Sequence, residues 1–346
     1  MATKGIYIYG IVPNFYSGDM FRSLDNSDVY AIPYQNISAI VSDHELSRLD
    51  SLDREALGQM LVLHQKTIEE LQRKQFNLLI PMRLGTIMGS KEEVIKILAN
   101  GYDLVLDTFK KIEFLIEVDL AVTWADFSVT ISEIASLPDV VALKEEIMQK
   151  SNPPSQIDQV SMGMMIESKL KENNSNVELN ILDILSPISL DIKTHEVMND
   201  QMVSNAAFLI SKSKLEKFEH AIEHLDEEWG GKLNFKIVGP LPCYSFFTLE
   251  LKELDIEIVT QARVELGLGE ETSEVEIKKV YLEKAKLFHP DVQQESGSEE
   301  KFSKINKAYH TLLDYSVAAR QSSKDDLISL NKEKVRENLI LIKIKE

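Results

Sequence analysis

Apolar and polar residues change their spacing several times along the first 124 residues, and each change predicts a new element. Runs rich in β-branched and aromatic residues predict strands, and apolar residues three and four positions apart predict helices. The predicted elements are strands at 6–12 and 37–41, a helix at 54–74 capped by Ser51 or Asp53, a strand at 76–82, a helix at 94–109 preceded by a Ser90/Glu93 capping box, and a strand at 117–124. This order predicts an α+β domain with a ferredoxin-like arrangement.

A second region with its own helices and strands continues to about residue 256. The pattern predicts helices at 139–149 and 159–171, a strand at 203–210, a helix at 213–225 and a strand at 233–238. The segment 239–246 then contains Pro240 and Pro242, which have no N–H to donate to a central sheet. We therefore expect an extended, bent connector there, of the kind that joins two domains.

The third region has the sharpest pattern. Residues 274–288 predict an amphipathic helix that ends at His289-Pro290-Asp291, and a second helix carries the apolar residues Phe302, Ile305, Tyr309 and Leu312. This spacing predicts that the two helices pack as an antiparallel hairpin. The tail, 317–346, mixes charges with the apolar run 339–342 and fits either a helix or a late strand.

One arginine, Arg83, stands in an otherwise apolar segment punctuated by Pro81 and Gly85. A buried guanidinium is costly unless carboxylates or carbonyls accept its hydrogen bonds. The segment therefore predicts a constrained site at Arg83. It serves either as a structural tie between two elements or as a direct contact to a ligand or partner.

The charge balance narrows the possible partners. A net charge of -18 repels nucleic-acid phosphates and anionic lipid, so we expect neither nucleic acid nor membrane as a partner. The single cysteine, Cys243, excludes an intramolecular disulfide and is expected to be a small core residue. With no signal-like or membrane-spanning segment in view, we expect a cytoplasmic protein.

Catalysis has weak support in the sequence. His44 lies between Asp43 and Glu45, and His195 precedes Glu196, but neither pair has a second histidine at ligand spacing or a phosphate-binding loop beside it. Methionines at 162, 164 and 165 suit copper(I), although methionine at helical spacing usually fills a core. We expect no enzyme, no catalytic residue, no cofactor and no metal; an uncharacterised hydrolase is the weakest alternative.

The third region resembles a J-domain, the module that recruits DnaK-type chaperones. The resemblance rests on 263–268, the basic helix, His289-Pro290-Asp291, and 301–309 in the following helix. It implies that this tripeptide triggers ATP hydrolysis in the chaperone and that the lysines of the preceding helix dock to it. The implied chaperone-binding residues are His289, Pro290, Asp291, Lys278, Lys279, Lys284 and Lys286.

The first two regions together resemble the gas vesicle protein F/L family. The matching segments are 7–12, 39–41, 79–86, 205–210 and 239–246, with departures at Leu84, Leu241 and Cys243. The motif residues that we expect to be structural are Pro81, Met82, Arg83, Gly85, Thr86, Gly239, Pro240, Pro242 and Tyr244. The resemblance implies an α+β protein needed to build gas vesicles, where it contacts the small hydrophobic shell subunit and other accessory proteins.

These patterns give one working hypothesis. We expect two α+β domains at 1–124 and 125–256, an all-α J-domain-like hairpin at 260–316 and a charged tail at 317–346. The protein would associate with gas vesicles, hold shell subunits during assembly, for example by adding a strand at a sheet edge, and bring a DnaK-type chaperone to them. A general J-domain co-chaperone for another client is the alternative.

Overall fold

The computed structural model describes residues 4–14, 16, 18–23, 25–45, 53–76, 78–150, 153–288, 298–322 and 327–345. Contacts group the chain into two compact units. The split unit consists of Met1–Lys110 and Phe247–Glu346, and the middle unit is Lys111–Phe246. The predicted division into two α+β domains, a helical hairpin and a tail stays a prediction.

The N-terminal part of the split unit is an antiparallel sheet with helices. Its strands are β1 (Lys4–Pro13), β2 (Gly18–Arg22), β3 (Asp28–Tyr34), β4 (Ile37–Glu45), β5 (Ile80–Pro81) and β6 (Ile87–Met88), and its helices are α1 (Arg54–Arg73), α2 (Lys91–Asn100) and α3 (Tyr102–Ile112). The strand order is β2-β3-β4-β1-β5, and β6 also pairs with β1. The predicted α+β class is confirmed.

The ferredoxin-like arrangement is not confirmed. The hairpin β2–β3 was missed. The predicted strand at 76–82 shrinks to the two residues of β5, because Phe76 still closes the end of α1, donating its N–H to the Leu71 carbonyl at 3.0 Å, and a turn follows at 83–86. The predicted helix at 94–109 is two helices separated at Gly101, where a Cβ would lie 3.2 Å from both the Ile342 side chain and the Ile97 carbonyl oxygen. Asp53, one of the two predicted caps, accepts a hydrogen bond from the Ala56 N–H.

A polar pair lies in the core between α1 and β1. The Tyr7 hydroxyl and His64 Nδ1 are 2.8 Å apart, and both residues are buried. Burial lowers the pKa of His64 to about 4 and raises that of Tyr7, so both side chains are neutral at pH 7. The pair satisfies two polar groups that would otherwise be costly inside the sheet–helix core.

The middle unit is a four-stranded antiparallel sheet packed with helices. Its elements are β7 (Leu115–Trp124), α4 (Phe127–Ala135), α5 (Pro138–Gln149), α6 (Gln156–Leu185), β8 (Asp191–Thr194), β9 (Met202–Ser211), a 3₁₀ turn (Lys212–Lys214), α7 (Leu215–Trp229) and β10 (Leu233–Leu241). The strand order is β10-β7-β9-β8. Apolar residues on one face of β7 and β9, including Val118 and Phe208, pack against α6 and α7 to form its core.

Three features of this unit differ from the sequence prediction. Helix α4 and strand β8 were missed, and α6 is 30 residues long instead of the predicted 13-residue span at 159–171. Its start is fixed by a capping box in which Ser155 and Asp158 bond each other's backbone N–H groups. Strand β7, which was predicted to end the first domain, pairs with β9 and β10.

The C-terminal part of the split unit holds a helical bundle between two paired strands. Its elements are β11 (Leu249–Glu253), α8 (Ile256–Leu266), β12 (Glu271–Thr272), α9 (Glu274–Phe288), α10 (Ser298–Ser322), β13 (Ile328–Ser329), α11 (Lys332–Glu337) and β14 (Ile340–Ile344). Strand β14 pairs along the whole of β11. The described part of the tail therefore supplies the end of α10, the two-residue strand β13, the short helix α11 and the late strand β14.

Candidate functional site

Helices α8, α9 and α10 form the bundle in which the predicted chaperone-binding residues lie. Tyr281 of α9 stacks on Tyr309 of α10 with ring centroids 4.0 Å apart, and Glu274 forms an ion pair with Arg320. These contacts run in opposite order along the two helices, so the predicted antiparallel hairpin is confirmed. Ile277, Ile305 and Leu312 are buried in the core that both helices share with α8.

The four lysines of α9 differ in their surroundings. Lys278, Lys279 and Lys286 are exposed. Lys284 is half-buried and its ammonium group donates to the Glu265 carbonyl oxygen at 2.7 Å, near the C-terminal end of α8. Because a cation near a helix C-terminus satisfies a free carbonyl, Lys284 has a structural contact, which leaves three lysines on the surface. His289, Pro290 and Asp291 lie outside the described residues.

The motif segment 79–86 packs against β1 and closes with a tight turn. Met82 is buried and its N–H donates to the Tyr9 carbonyl at 2.9 Å, while Pro81 pairs with Gly10. The turn is held by Thr86, whose hydroxyl donates to the Arg83 carbonyl at 2.6 Å. Gly85 has φ +79°, a left-handed conformation that favours glycine.

Arg83 is not buried, so the prediction of its environment was wrong. Its side chain is 62% exposed, and its guanidinium donates to the Glu250 carboxylate at 3.3 Å. Glu250 also pairs with Lys343 at 3.3 Å. The Arg83 N–H donates to the Leu249 carbonyl at 2.7 Å. Both contacts tie the motif segment to β11.

The connector segment 239–246 lies over the face of the middle unit's sheet that is opposite its main core. Pairing of β10 with β7 is interrupted between Val238 and Leu241, as the two prolines predicted. Glu117, only 1% exposed, accepts hydrogen bonds from Ser245: one from its N–H at 2.8 Å and one from its hydroxyl at 2.7 Å. Cys243 is buried, as predicted.

Two carboxyl groups lie side by side under this connector. Burial raises the pKa of Glu117 to about 7 and also raises that of Asp119, whose Oδ1 is buried without a hydrogen-bond partner. His195 acts on Asp119 in the opposite direction. Burial also raises the pKa of the Cys243 thiol to about 12, so this cysteine is protonated and unreactive.

The side chains considered for catalysis and metal binding are dispersed. His44 packs edge-on against Tyr7, and the neighbouring Asp43 accepts a hydrogen bond from Tyr30 at 2.8 Å. Met164 is 65% exposed on α6, so it does not fill a core. In the described part of the chain, no group of three or more His, Cys, Asp or Glu residues is placed to hold a metal ion, and no helix there is long and apolar enough to cross a membrane.

The sequence identified both motif segments, 79–86 and 239–246, but not the distant residues that bind them. Glu117 binds the connector from 128 positions away, and Glu250 binds Arg83 from 167 positions away. The only signal in the sequence was the pair of acidic residues, Glu117 and Asp119, on one face of an otherwise apolar strand.

Comparison with known proteins covers most of the chain. The family model for the gas vesicle synthesis protein GvpL/GvpF matches residues 5–248, and a DnaJ domain matches residues 265–320. Gas vesicle protein F of Microcystis aeruginosa is 24% identical over 250 residues, which cover 71% of this chain and 99% of that protein. The chaperone protein DnaJ of Limosilactobacillus reuteri is 53% identical over 49 residues, 14% of this chain and 13% of that protein.

Solved structures agree with the fold. The crystal structure of GvpF from Anabaena sp. aligns with a TM-score of 0.55 at 22% identity, and covers 70% of this chain and 97% of that one. GvpF from Microcystis aeruginosa aligns with a TM-score of 0.52. The alignments and the two motif segments lead to the same assignment. The chain belongs to the gas vesicle synthesis protein GvpL/GvpF family, and a DnaJ domain follows its GvpF-like fold.

Proposed function

We propose that this protein is a gas vesicle assembly factor that binds the hydrophobic shell subunit and accessory proteins while vesicles form. Its DnaJ domain would bring a DnaK-type chaperone to the bound shell subunit. The observation that carries the proposal is the presence of both modules in one chain, with the family match over 5–248 and the DnaJ match over 265–320. We expect the protein to associate with the gas vesicle.

The physical reason for such a protein lies in its client. A small subunit with an apolar surface and open strand edges aggregates before assembly unless another protein holds it. A folded carrier with a net charge of -18 stays soluble while it does so. Joining the holding module to a chaperone-recruiting module raises the local concentration of chaperone at the same client.

The chaperone contact would use the exposed side of α9 together with His289, Pro290 and Asp291, which follow it in the sequence. Lys278, Lys279 and Lys286 place positive charge on the surface of this helix, although the exposed Glu276 and Glu283 dilute it. A basic face favours docking to an acidic partner surface and increases the association rate. The pairing of α9 with α10 holds these lysines on a regular helix.

Two measurements test the two halves separately. Purified full chain should raise the ATPase rate of a DnaK-type chaperone, and Asp291→Asn should abolish this stimulation; an unchanged rate would refute chaperone recruitment. Purified chain should also bind the shell subunit, and cells lacking the gene should fail to form floating vesicles. Normal vesicles in those cells would refute the assembly role. Chaperone stimulation without any binding of the shell subunit would instead favour a general co-chaperone for another client.

A further inference from the structure

Strand β10 (Leu233–Leu241) forms one edge of the middle unit's sheet, and it is exposed along most of its length. In the strand order β10-β7-β9-β8 it has β7 on one side, and no other described strand pairs with its second side. Ile237 is 41% exposed and Val238 is 42% exposed. An open edge with apolar side chains is a template for pairing with another chain.

The pairing register identifies which backbone groups of β10 face outward. Ala125 donates its N–H to the Lys232 carbonyl at 2.9 Å, so the backbone of Lys232 is directed toward β7. In an antiparallel pair this direction alternates along the strand, so Asn234 and Lys236 also face β7. Trp124 fits this alternation because its N–H is directed the other way, to the Gln201 carbonyl at 3.0 Å.

The alternation leaves Leu233, Phe235 and Ile237 with N–H and C=O groups directed away from β7. Phe235 and Ile237 alone can offer a new strand two donors and two acceptors without breaking a bond inside the sheet. The open stretch ends at Pro240, which has no N–H. The edge of β10 can therefore pair with only a short strand.

The charge on the edge of β10 indicates which kind of partner strand it binds. Lys236 is the one charged residue in the sequence of β10, while the chain as a whole carries a net charge of -18. A partner strand with an acidic side chain opposite Lys236 would form a favourable cross-strand pair. Apolar side chains at the other positions of that strand would cover Ile237 and Val238.

A second copy of this chain fits the edge poorly. The antiparallel register in which Phe235 of one copy pairs with Ile237 of the other places Lys236 opposite Lys236, whereas the register centred on Phe235 places Lys236 opposite Asn234. Like charges directly opposite each other are destabilising, and two chains of charge -18 also repel at longer range. Lys236 thus disfavours the first register, and the net charge of -18 opposes close approach of two copies in either one.

We propose that the outer edge of β10 binds an extended segment of the gas vesicle shell subunit, in which apolar side chains flank an acidic one. The segment adds a fifth strand to the sheet of the middle unit. This inference rests on the proposed function, because that function supplies a client with open strand edges.

The test is Ile237→Pro in the full chain, with Ile237→Thr as the matched control. Proline removes an outward N–H and no bond to β7, and it is tolerated on edge strands, while threonine keeps both the N–H and the β-branched shape. Binding is measured as a titration against the shell subunit fused to a soluble carrier. We expect Ile237→Pro to weaken binding about tenfold or more, and Ile237→Thr to change it by less than about threefold.

A second variant keeps the test decisive if the proline substitution affects folding. Lys236→Glu leaves the backbone unchanged and should weaken binding about tenfold, because it reverses the charge opposite the acidic residue. If wild type binds the shell subunit and both Ile237→Pro, when folded, and Lys236→Glu bind equally well, the β10 proposal is overturned. If wild type does not bind the shell subunit, the proposed function itself fails. Self-association through β10, detected as a dimer that Lys236→Glu dissolves or strengthens, would also overturn the proposal.

Discussion

The buried carboxyl group of Glu117 predicts that the middle unit becomes less stable as the pH rises. Folding moves this side chain from water to a site where it is 1% exposed, and burial is the largest influence on its pKa. The two hydrogen bonds from Ser245 favour the ionised form but do not outweigh burial. Replacing Glu117 by glutamine keeps the shape and removes the charge.

The magnitude follows from the two pKa values. The pKa rises from an ordinary value of 4.5 to about 7 on folding. Between these values the folded state binds more protons than the unfolded state, so the free energy of unfolding falls as the pH increases. At about 1.36 kcal/mol per pKa unit, the full loss is about 3 kcal/mol, and about 2–3 kcal/mol of it falls between pH 5 and pH 8.

The assay uses the chain's own fluorescence. Its two tryptophans, Trp124 and Trp229, both lie in the middle unit with ring centroids 6.5 Å apart, so urea unfolding followed by tryptophan emission reports on this unit. Relative to wild type, Glu117→Gln should gain about 2–3 kcal/mol on going from pH 5 to pH 8. The exposed Glu145→Gln on α5 is the control and should follow wild type. Parallel stability curves for wild type and Glu117→Gln would refute the reasoning.

Three further predictions concern the split unit. Arg83→Ala should lower its stability by less than about 1 kcal/mol, measured by thermal unfolding, because the Arg83 side chain is 62% exposed and Glu250 keeps its second partner; a larger loss would contradict the exposed placement. Lys284→Ala should destabilise the helical bundle by about 1 kcal/mol, because it removes the hydrogen bond to the Glu265 carbonyl. Lys279→Ala should leave the stability of the bundle within about 0.5 kcal/mol of wild type and should reduce chaperone ATPase stimulation. Equal stability losses in the two variants would refute the division of roles. His64, with its pKa lowered to about 4, should stay neutral in NMR titrations well below pH 6, and the split unit should lose stability as the pH falls from 6.5 to 4. An ordinary titration of His64 near pH 6.5 would refute its burial.

Local patterns in the sequence predicted the elements whose own residues determine them. Helix α9 begins and ends where its apolar spacing and the following proline indicated, and α1 starts at its predicted cap. The hairpin β2–β3 was missed because its strands are short and β3 contains Pro33, which argues against a strand. Helix α4 was missed because its nine residues make little more than two turns, too few for a clear helical spacing of apolar residues.

Contacts between distant residues could not be predicted from local pattern. Arg83 was expected to be buried because its sequence neighbours are apolar, yet the turn that Gly85 permits directs the backbone out of β5 and leaves the side chain near the surface. The connector was predicted to be bent, but nothing nearby indicated that Glu117 holds it. Sequence spacing describes which residues share a face; it does not describe which element covers that face.

The tail was the least readable segment, and its structure changes how the DnaJ domain should act. Strands β11 and β14 bracket the bundle, and Gln321 of α10 binds both backbone groups of Ile342, accepting from its N–H at 3.1 Å and donating to its carbonyl at 2.6 Å. Leu249 of β11 in turn accepts the Arg83 N–H, so the ribbon is joined to the motif segment of the N-terminal sheet. A module on a flexible linker explores a volume, and its effective concentration falls as the linker lengthens. A module held by paired strands on both flanks presents α9 at one position relative to the N-terminal sheet. Under the proposed function, a chaperone docked on α9 would therefore approach the N-terminal sheet from a fixed direction, so the benefit of the fusion depends on geometry as well as on proximity.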